Sequence, residues 1–343
     1  MTKTRKVLIT GGNGFVGRNL VDRCKQLGHR VIVTDIHCET IHDDVTYINV
    51  DITDAKAMID ACENVDTIIH NASVVQTKKG NEAFIRKVNY HGTLNVIEAC
   101  RVHRIPRMVY ISSASVVYEG EDIENGDENL RYSTVEQAAY AASKIDAEKA
   151  ALAFNNEGIT RVCALRPHVI FGPEDNRFIP NILEKAAKGA LKRAIGDRDK
   201  YSDFTYVSNF IDAIVMAEEQ LVEGSPVCGQ AYFITNGEPK AFFDFVEECM
   251  VAFGYPKIKG KVPFWLAYTV AAVVELWALI TRAGAETETG ISRFAIRYMV
   301  THHYYSIAKA KRDFGWQPRI SLAEGIALTA DYLRKNNHPL IRH

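Results

Sequence analysis

The sequence lacks an excess of either charge, a paired-cysteine motif and a long uninterrupted apolar run. Lysine and arginine together number 41, against 42 aspartates and glutamates, so the net charge is −1. Without a basic excess or basic clusters, the chain is not expected to bind nucleic acid. Its seven cysteines form no C-x-x-C pair and no short-spaced cluster with histidine. This scatter predicts buried thiols in a reducing compartment and argues against a disulfide framework or a metal site.

Two expectations about location follow from the apolar pattern. The first apolar run begins too close to the start of the sequence to leave room for a signal peptide, which favours the cytoplasm. The most apolar stretch, 262–280, approaches bilayer-spanning length but is interrupted by Pro263 and Glu275. Two interpretations stay open: a helix that caps the rest of the fold, or an interfacial helix with Trp265 and Trp277 at lipid headgroups. The second would give a peripheral contact at the inner face of a membrane.

Three glycines follow the first apolar run and precede a helical pattern over 18–27. Gly11, Gly14 and Gly17 have the spacing G-x-x-G-x-x-G, which in this context is typical of a dinucleotide-binding βαβ unit. Gly11 permits a tight turn, Gly14 lets the backbone approach a pyrophosphate, and Gly17 lets helix and strand pack closely. The pyrophosphate is expected at the helix N-terminus, where free N–H groups and the helix dipole favour an anion.

Strand-like and helix-like patterns alternate through the first half of the chain. Strands are predicted over 7–10, 29–35, 45–50, 65–70 and 108–111, with helices over 18–27, 54–62, 84–101 and 140–153. The alternation predicts an α/β fold: a Rossmann-type, doubly wound parallel sheet with a smaller, mostly helical C-terminal substrate region. Ligands of such sheets bind beyond the carboxyl ends of the strands, where Asp35, Asp51, Asn71 and Ser113 fall.

Asp35 sets the expected cofactor. It ends the second predicted strand, where a carboxylate can accept hydrogen bonds from the adenosine ribose and repels a 2′-phosphate. The next residues, Ile36 and His37, offer no arginine for such a phosphate. The sequence therefore favours NAD over NADP, although an aspartate at a strand end also fits a simple turn.

Tyr140 and Lys144 open a predicted helix four residues apart, so both project from one face. A neighbouring ammonium stabilises phenolate, and we expect it to lower the pKa of Tyr140 toward neutral pH. The pair would then remove a proton from an alcohol or return one to a ketone. A serine at the end of the fifth strand would hold the substrate oxygen. Ser113 is the first choice and Ser112 the competing one, because one residue of register reverses the facing of a strand.

These motifs together resemble an extended short-chain dehydrogenase/reductase, and they do so over essentially the whole chain. The glycine loop, Asn71-Ala72, Tyr140…Lys144 and 165–173 carry the resemblance, which is closest to the branch of 3-beta-hydroxysteroid dehydrogenases and sterol-4-alpha-carboxylate 3-dehydrogenases. It implies the catalytic residues Ser113, Tyr140 and Lys144. It also implies an NAD site formed by Gly11, Asn13, Gly14, Phe15, Val16, Gly17, Asp35, Asp51, Ile52, Asn71, Ala72, Ser73, Ile111, Tyr140, Lys144, Pro167 and Val169.

The resemblance also implies a division of the chain. Residues 1–173 would form the NAD-binding domain, to which 203–235 returns, and 174–202 with 236–343 would form the substrate region. A homodimer through helices like those at 84–101 and 139–153 is expected from the same family.

Three functions stay open. The first is NAD-dependent oxidation of the 3β-hydroxyl of a sterol-like substrate, with decarboxylation where C4 carries a carboxylate. The second is NADPH-dependent reduction of a long-chain 2-alkyl-3-oxoalkanoate, which Asp35 disfavours. The third is a non-catalytic nucleotide-binding scaffold, since fold alone does not give activity. UDP-sugar epimerases share the nucleotide domain, but the apolar run after Val262 suits a charged nucleotide sugar poorly.

Overall fold

The computed structural model describes residues 4–75, 81–135, 139–280 and 292–342, without the side chains at 278–280. Its first half contains β1 (Lys6–Thr10), α1 (Phe15–Gln26), β2 (Arg30–Asp35), β3 (Thr46–Asn49), α2 (Ala55–Ala61), β4 (Thr67–His70), α3 (Glu82–Arg86), α4 (Gly92–His103), β5 (Arg107–Ile111), β6 (Ile123–Gly126), α5 (Ala139–Phe154), β7 (Arg161–Pro167) and β8 (Ile170–Phe171). A π-helical turn (Lys87–His91) joins α3 to α4, and a 3-10 turn (Ala114–Val117) follows β5.

The second half is mostly helical. It contains α6 (Phe178–Ala187), β9 (Ala194–Ile195), β10 (Tyr201–Ser202), β11 (Thr205–Tyr206), α7 (Val207–Glu219), β12 (Gln230–Ile234), β13 (Lys240–Ala241), α8 (Phe242–Ala252), β14 (Lys261–Val262), α9 (Phe264–Ile280), α10 (Arg293–Tyr298), β15 (His303–Tyr305), α11 (Ala308–Phe314) and α12 (Leu322–Lys335). The last helix begins at a capping box, in which the Ser321 hydroxyl accepts the N–H of Glu324 at 3.2 Å.

Seven parallel strands form the central sheet in the order β12-β7-β5-β4-β1-β2-β3. The chain runs outward from β1 in one direction and then returns through β4 in the other. The order therefore reverses between β1 and β4, and in a doubly wound sheet the ligand crevice opens at such a point beyond the strand ends. The predicted fold class is confirmed.

Both faces of the sheet are covered, as the near-continuous apolar strands require. One core lies under α1 and α7 and includes Leu20 and Phe210. The other lies under α2, α4 and α5 and includes Met58 and Val96. Buried apolar surface contributes about 25 cal/mol per Å² to the stability of the fold. Burial in these two cores is therefore the main contribution that holds the strand ends in place.

Residues beyond β7 contribute to two regions. β12 pairs with β7 in the central sheet, and α7 packs against α1. A separate apolar core gathers residues of α6, α8 and α12, among them Ile182, Phe245 and Leu333. A small sheet in the order β13-β10-β15-β6 also lies outside the central one. The helices α6, α8 and α12 with this small sheet form a second body of structure beside the central sheet.

α9 leaves several large apolar side chains exposed to solvent. Trp265 is 67% exposed, Trp277 65% and Val273 61%, whereas Ala271 on the opposite side is fully buried. Within the described residues, no helix is both long enough and apolar enough to cross a membrane.

Candidate active site

The glycine loop lies between β1 and α1 at the carboxyl edge of the sheet. Gly11 has a φ of +67°, and a Cβ there would lie 2.8 Å from the Cα of Ala72. A Cβ on Gly17 would lie 2.6 Å from the Cα of Gly12. No described side chain caps the N-terminus of α1, where Gly14 stands at the cap position in extended backbone. The loop therefore leaves room and free N–H groups for a pyrophosphate, as a dinucleotide requires.

Asp35 faces this loop from the end of β2. Its carboxylate accepts the backbone N–H of Asn13 at 3.2 Å and that of Ile36 at 2.8 Å. The predicted ribose-binding carboxylate thus stands beside the loop and also fixes its shape. Phe15 and Val16 begin α1 and pack half-buried against the core beneath.

The predicted adenine-side residues follow β3 on the same edge. Asp51 is exposed, and its carboxylate accepts the N–H of Thr53 at 2.8 Å. Ile52 is buried, and its backbone oxygen accepts the side-chain amide of Asn95 at 2.9 Å. A Cβ on Gly92 would lie 2.6 Å from the Cδ1 atom of Ile52, so α4 approaches this loop closely.

A buried chain of hydroxyl and imidazole groups fixes the end of β4. The Thr10 hydroxyl accepts the N–H groups of Asn71 at 3.1 Å and Ala72 at 3.0 Å, so its own proton points to Nδ1 of His70 at 2.8 Å. His70 Nε2 then donates to the Thr93 hydroxyl at 2.9 Å. Burial, with the charge of Lys144 as a second and smaller cause, lowers the pKa of His70 to about 3. The imidazole is therefore neutral, a linkage that the sequence patterns did not reveal.

The segment after β4 is held in turn by Asn89. Asn89 lies in the π-helical turn, where its carboxamide accepts the N–H of Val74 at 2.7 Å and donates to the oxygen of Val74 at 3.0 Å. It also donates to the Ser143 hydroxyl at 3.0 Å. Half-buried Ser73, another predicted cofactor residue, is part of the positioned segment. Sequence reasoning placed Asn89 within one regular helix and missed it, since periodicity does not reveal a π turn.

Ser113, after β5, and Tyr140, in the first turn of α5, lie close together. Ser113 caps the 3-10 turn after β5, and its hydroxyl accepts the N–H of Ser115 at 3.2 Å and the hydroxyl of Ser115 at 2.9 Å. It also lies within hydrogen-bonding reach of the Tyr140 hydroxyl, whose pKa it lowers against the effect of burial. The neighbouring Ser112 hydroxyl is buried and has no partner among the described residues. The structure therefore brings Ser113, rather than Ser112, to the phenol.

Lys144 lies one helical turn beyond Tyr140 and is buried. Its ammonium donates to the backbone oxygen of Ile111 at 2.5 Å and lies 4.4 Å from the centre of the Tyr110 ring. Burial lowers the pKa of Lys144 to about 7, while the carboxylate of Glu148 acts in the opposite direction. The lysine is therefore poised to exchange a proton near neutral pH.

The expected depression of the Tyr140 pKa is wrong for this state of the site. Burial raises the pKa of Tyr140, and the opposing influences are the Ser113 hydrogen bond and the charge of Arg177. The physical reason is burial of the phenol, and the Lys144 ammonium that we expected to oppose it donates to the backbone oxygen of Ile111. Arg177 carries no recognisable motif, and sequence analysis assigned it no role.

Pro167 and Val169 close the edge beyond β7. Pro167 ends the strand, and Val169 has a φ of +32°, which is rare for a β-branched residue. The backbone oxygen of Val169 accepts the N–H of Thr205 at 3.0 Å, which ties this strained turn to β11. The predicted residues of the central sheet thus lie along its carboxyl edge, and the charge of Arg177 acts on Tyr140 from outside that sheet.

Comparison with known proteins identifies the family and relatives that this chain resembles. Residues 8–264 match the sequence profile of the 3-beta hydroxysteroid dehydrogenase/isomerase family. A mouse protein named sterol-4-alpha-carboxylate 3-dehydrogenase, decarboxylating, is 33% identical over 98% of this chain and 94% of its own length. A 2-alkyl-3-oxoalkanoate reductase of Stenotrophomonas maltophilia is 36% identical over 94% of this chain and 97% of its own.

Solved structures agree on the fold. The dTDP-glucose 4,6-dehydratase of Bacillus anthracis, solved in complex with NAD, superposes with a TM-score of 0.73 at 19% identity. The match covers 98% of this chain and 100% of the dehydratase. At this identity the likeness concerns architecture alone.

Proposed function

The chain belongs to the 3-beta hydroxysteroid dehydrogenase/isomerase family, and we propose that it oxidises the 3β-hydroxyl group of a 4-carboxysterol with NAD. The observation that carries the proposal is the pairing of the Ser113 and Tyr140 hydroxyl groups, with Lys144 one turn further along the same helix. The enzyme is an oxidoreductase. Its specific substrate is supported by the relatives named for sterol 4-carboxylates.

NAD is the cofactor that the residues of the crevice fit. The glycine loop leaves space for a pyrophosphate, and Asp35 offers a carboxylate to the adenosine ribose. Ile111, Pro167 and Val169 stand at the strand ends on the nicotinamide side of the proposed site. When bound, NAD supplies the acceptor for the hydrogen that leaves the carbinol carbon with its electron pair.

The protein's own residues accept the proton of the substrate hydroxyl group. Tyr140 in its phenolate form takes the proton of the substrate hydroxyl, and Ser113 holds the substrate oxygen by a hydrogen bond. Because burial opposes phenolate formation, oxidation speeds up as the pH rises toward the pKa of Tyr140. Lys144, whose pKa is about 7, supplies a nearby group that passes protons at neutral pH.

Oxidation of a 4-carboxysterol yields a β-keto acid, which can lose carbon dioxide without a second catalytic base. The bond between C4 and the carboxylate breaks, and its electron pair forms an enolate with the new ketone. A proton then returns to C4. The site needs only to hold the acid while the ketone forms, so one set of residues supports both steps.

The second candidate is reduction of a 2-alkyl-3-oxoalkanoate, the reaction named for the bacterial relative at 36% identity. Its substrate also carries a carboxylate on the carbon next to the ketone. Asp35 disfavours the NADPH expected for this reaction, because a carboxylate beside the glycine loop at the end of β2 would repel a 2′-phosphate. A non-catalytic scaffold is disfavoured by the paired Ser113 and Tyr140 hydroxyl groups.

The deciding experiment is a steady-state assay of purified protein with 4-carboxysterol and NAD that follows NADH and carbon dioxide together. We expect both products in equal amounts, and their loss by about 100- to 10,000-fold in Tyr140→Phe. NAD affinity should change by less than about twofold in that variant, since the phenol is assigned to the proton. A parallel assay with a long-chain β-keto acid and NADPH tests the second candidate. Turnover only in that second assay would replace the sterol proposal.

We also propose that the exposed face of α9 contacts a membrane peripherally. Trp265 and Trp277 are about two-thirds exposed near the two ends of an apolar helix, as in interfacial helices. Exposed Lys257 and Lys259 precede the helix and suit an anionic lipid surface. Flotation with phosphatidylserine vesicles checks this, and we expect Trp265→Ser with Trp277→Ser to reduce binding about tenfold. Wild-type protein that stays wholly in the supernatant would end the proposal.

The expected homodimer stays a proposal as well. Phe84 in α3 is 51% exposed and Val102 in α4 is 52% exposed, so the helices expected at the interface retain uncovered apolar side chains. Light scattering of purified protein decides between one and two chains.

A further inference from the structure

Arg177 stands immediately before α6, at the border between the second body of structure and the crevice. The backbone here is fixed by Asp175, whose carboxylate accepts the N–H groups of Arg177 at 2.8 Å, Phe178 at 3.1 Å and Ile179 at 2.9 Å. Because both oxygens of Asp175 accept N–H groups of this turn, the backbone of Arg177 is held in place. The side chain of Arg177 is exposed.

The side chain reaches across to the nucleotide-binding half. Its Nη1 atom donates to the backbone oxygen of Val75 at 2.6 Å, on the segment that follows β4. Asn89 ties the neighbouring residue Val74 to the hydroxyl of Ser143, which in turn donates to the backbone oxygen of Tyr140. The charge of Arg177 accordingly lowers the pKa of Tyr140 against the effect of burial. Arg177 therefore borders the space that the substrate must occupy.

The guanidinium of Arg177 forms no ion pair with a carboxylate among the described residues. Its charge lowers the pKa of Asp175 against the effect of burial, but the Asp175 carboxylate is already held by three backbone N–H donors. A guanidinium has five N–H donors, and Val75 accepts one of them. Donors remain for a planar anion, and carboxylates bind arginine through two parallel hydrogen bonds.

We propose that Arg177 binds the substrate carboxylate on the carbon next to the reacting carbinol or ketone carbon, and so selects acids over neutral substrates. This inference rests on the proposed function. The inference extends that function, because the two candidate substrates share this carboxylate and differ in the rest of the molecule. A carboxylate one carbon from the oxygen held by Ser113 and Tyr140 would lie beside the group that lowers the pKa of that phenol.

The test compares an acid with its neutral counterpart in Arg177→Gln, Arg177→Lys and the control Arg193→Gln. Arg193 is an exposed arginine after the end of α6. The sterol pair is 4α-carboxycholestan-3β-ol and 4α-methylcholestan-3β-ol with NAD. A long-chain 2-alkyl-3-oxoalkanoate and its methyl ester with NADPH form the second pair. Dissociation constants of the same compounds, measured with the reduced cofactor present for sterols and the oxidised one for keto compounds, give a readout independent of turnover.

We expect the acid-to-neutral ratio of kcat/KM to fall about 10- to 100-fold in Arg177→Gln. Lysine should restore part of that ratio, since it keeps the charge but loses the two-pronged geometry. The ratio of dissociation constants should change in the same sense, and Arg193→Gln should match wild type in both ratios. An equal loss for acid and neutral substrates would show that Arg177 acts through Tyr140 alone and would overturn the inference.

Failure of the proposed function gives a different result in these assays from failure of the Arg177 inference. If wild-type protein turns over neither pair, the sterol and keto-acid reactions are both excluded, and binding still tests Arg177. Acid that binds wild type at least tenfold tighter than Arg177→Gln would keep the inference. Acid that binds both proteins equally, or neither, would overturn it.

Discussion

The hydroxyl group of Ser113 lies within hydrogen-bonding reach of the hydroxyl group of Tyr140, across the gap between the end of β5 and the first turn of α5. A hydrogen bond from Ser113 favours the phenolate and so lowers the pKa of Tyr140 against the effect of burial. Ser112 is adjacent in sequence, but its buried hydroxyl has no partner among the described residues. The two serines therefore form a natural pair of matched variants.

Ser113→Ala should lower kcat/KM for sterol oxidation about 100-fold, because the substrate oxygen and the phenolate both lose a donor. The pH dependence of oxidation should also move to higher pH, since the pKa of Tyr140 rises when this hydrogen bond is removed. Ser112→Ala serves as the control, and we expect its activity within about threefold of wild type. The reverse order of effects would assign the substrate-holding role to Ser112.

Gly17→Ala should reduce NAD affinity at least about tenfold and destabilise the fold by about 1–3 kcal/mol. The added methyl group would lie 2.6 Å from the Cα of Gly12, so the loop must shift away from the helix terminus. Gly158→Ala is the matched control, since a Cβ there meets nothing within 4 Å. Calorimetric titration with NAD and thermal unfolding measure the two effects. NAD binding by Gly17→Ala at wild-type strength would remove the loop from the cofactor site.

Asp35→Asn should narrow the preference for NAD over NADP by about tenfold or more, through loss of the charge that repels a 2′-phosphate. The asparagine keeps one acceptor oxygen for the Asn13 N–H, so the loop should persist. The measurement is the ratio of kcat/KM for the two cofactors. Glu223→Gln changes an exposed carboxylate beyond the end of α7, away from the loop, and is the control. An unaltered ratio in Asp35→Asn would place the ribose elsewhere.

His70 should make the fold sensitive to acid. Its folded-state pKa of about 3 lies below the usual 6.5, so the folded protein favours the neutral imidazole. This stability is present above pH 6.5 and is lost as the pH falls toward 3. Between pH 7 and pH 5, His70 should cost about 2 kcal/mol of unfolding free energy. Urea unfolding of wild type and His70→Gln at both pH values checks this, and equal losses in the two proteins would contradict it.

The sequence alone determined the architecture and the chemical groups. The alternation of apolar strands with helical patterns, and the glycine spacing at Gly11, Gly14 and Gly17, follow from local sterics and from burial on both faces of a parallel sheet. The spacing of Tyr140 and Lys144 is likewise local, because residues four apart share a helix face. These features need no knowledge of distant parts of the chain.

Only the tertiary structure decided what those groups contact. The choice of Ser113 over Ser112, the neutral His70 between Thr10 and Thr93, and the direction of Lys144 toward Ile111 depend on elements far apart in sequence. The approach of Arg177 to Val75 spans 102 residues and leaves no periodic trace. Burial and hydrogen-bond partners are set by packing between elements, so a pKa such as that of Tyr140 is a property of the assembled site rather than of its motif.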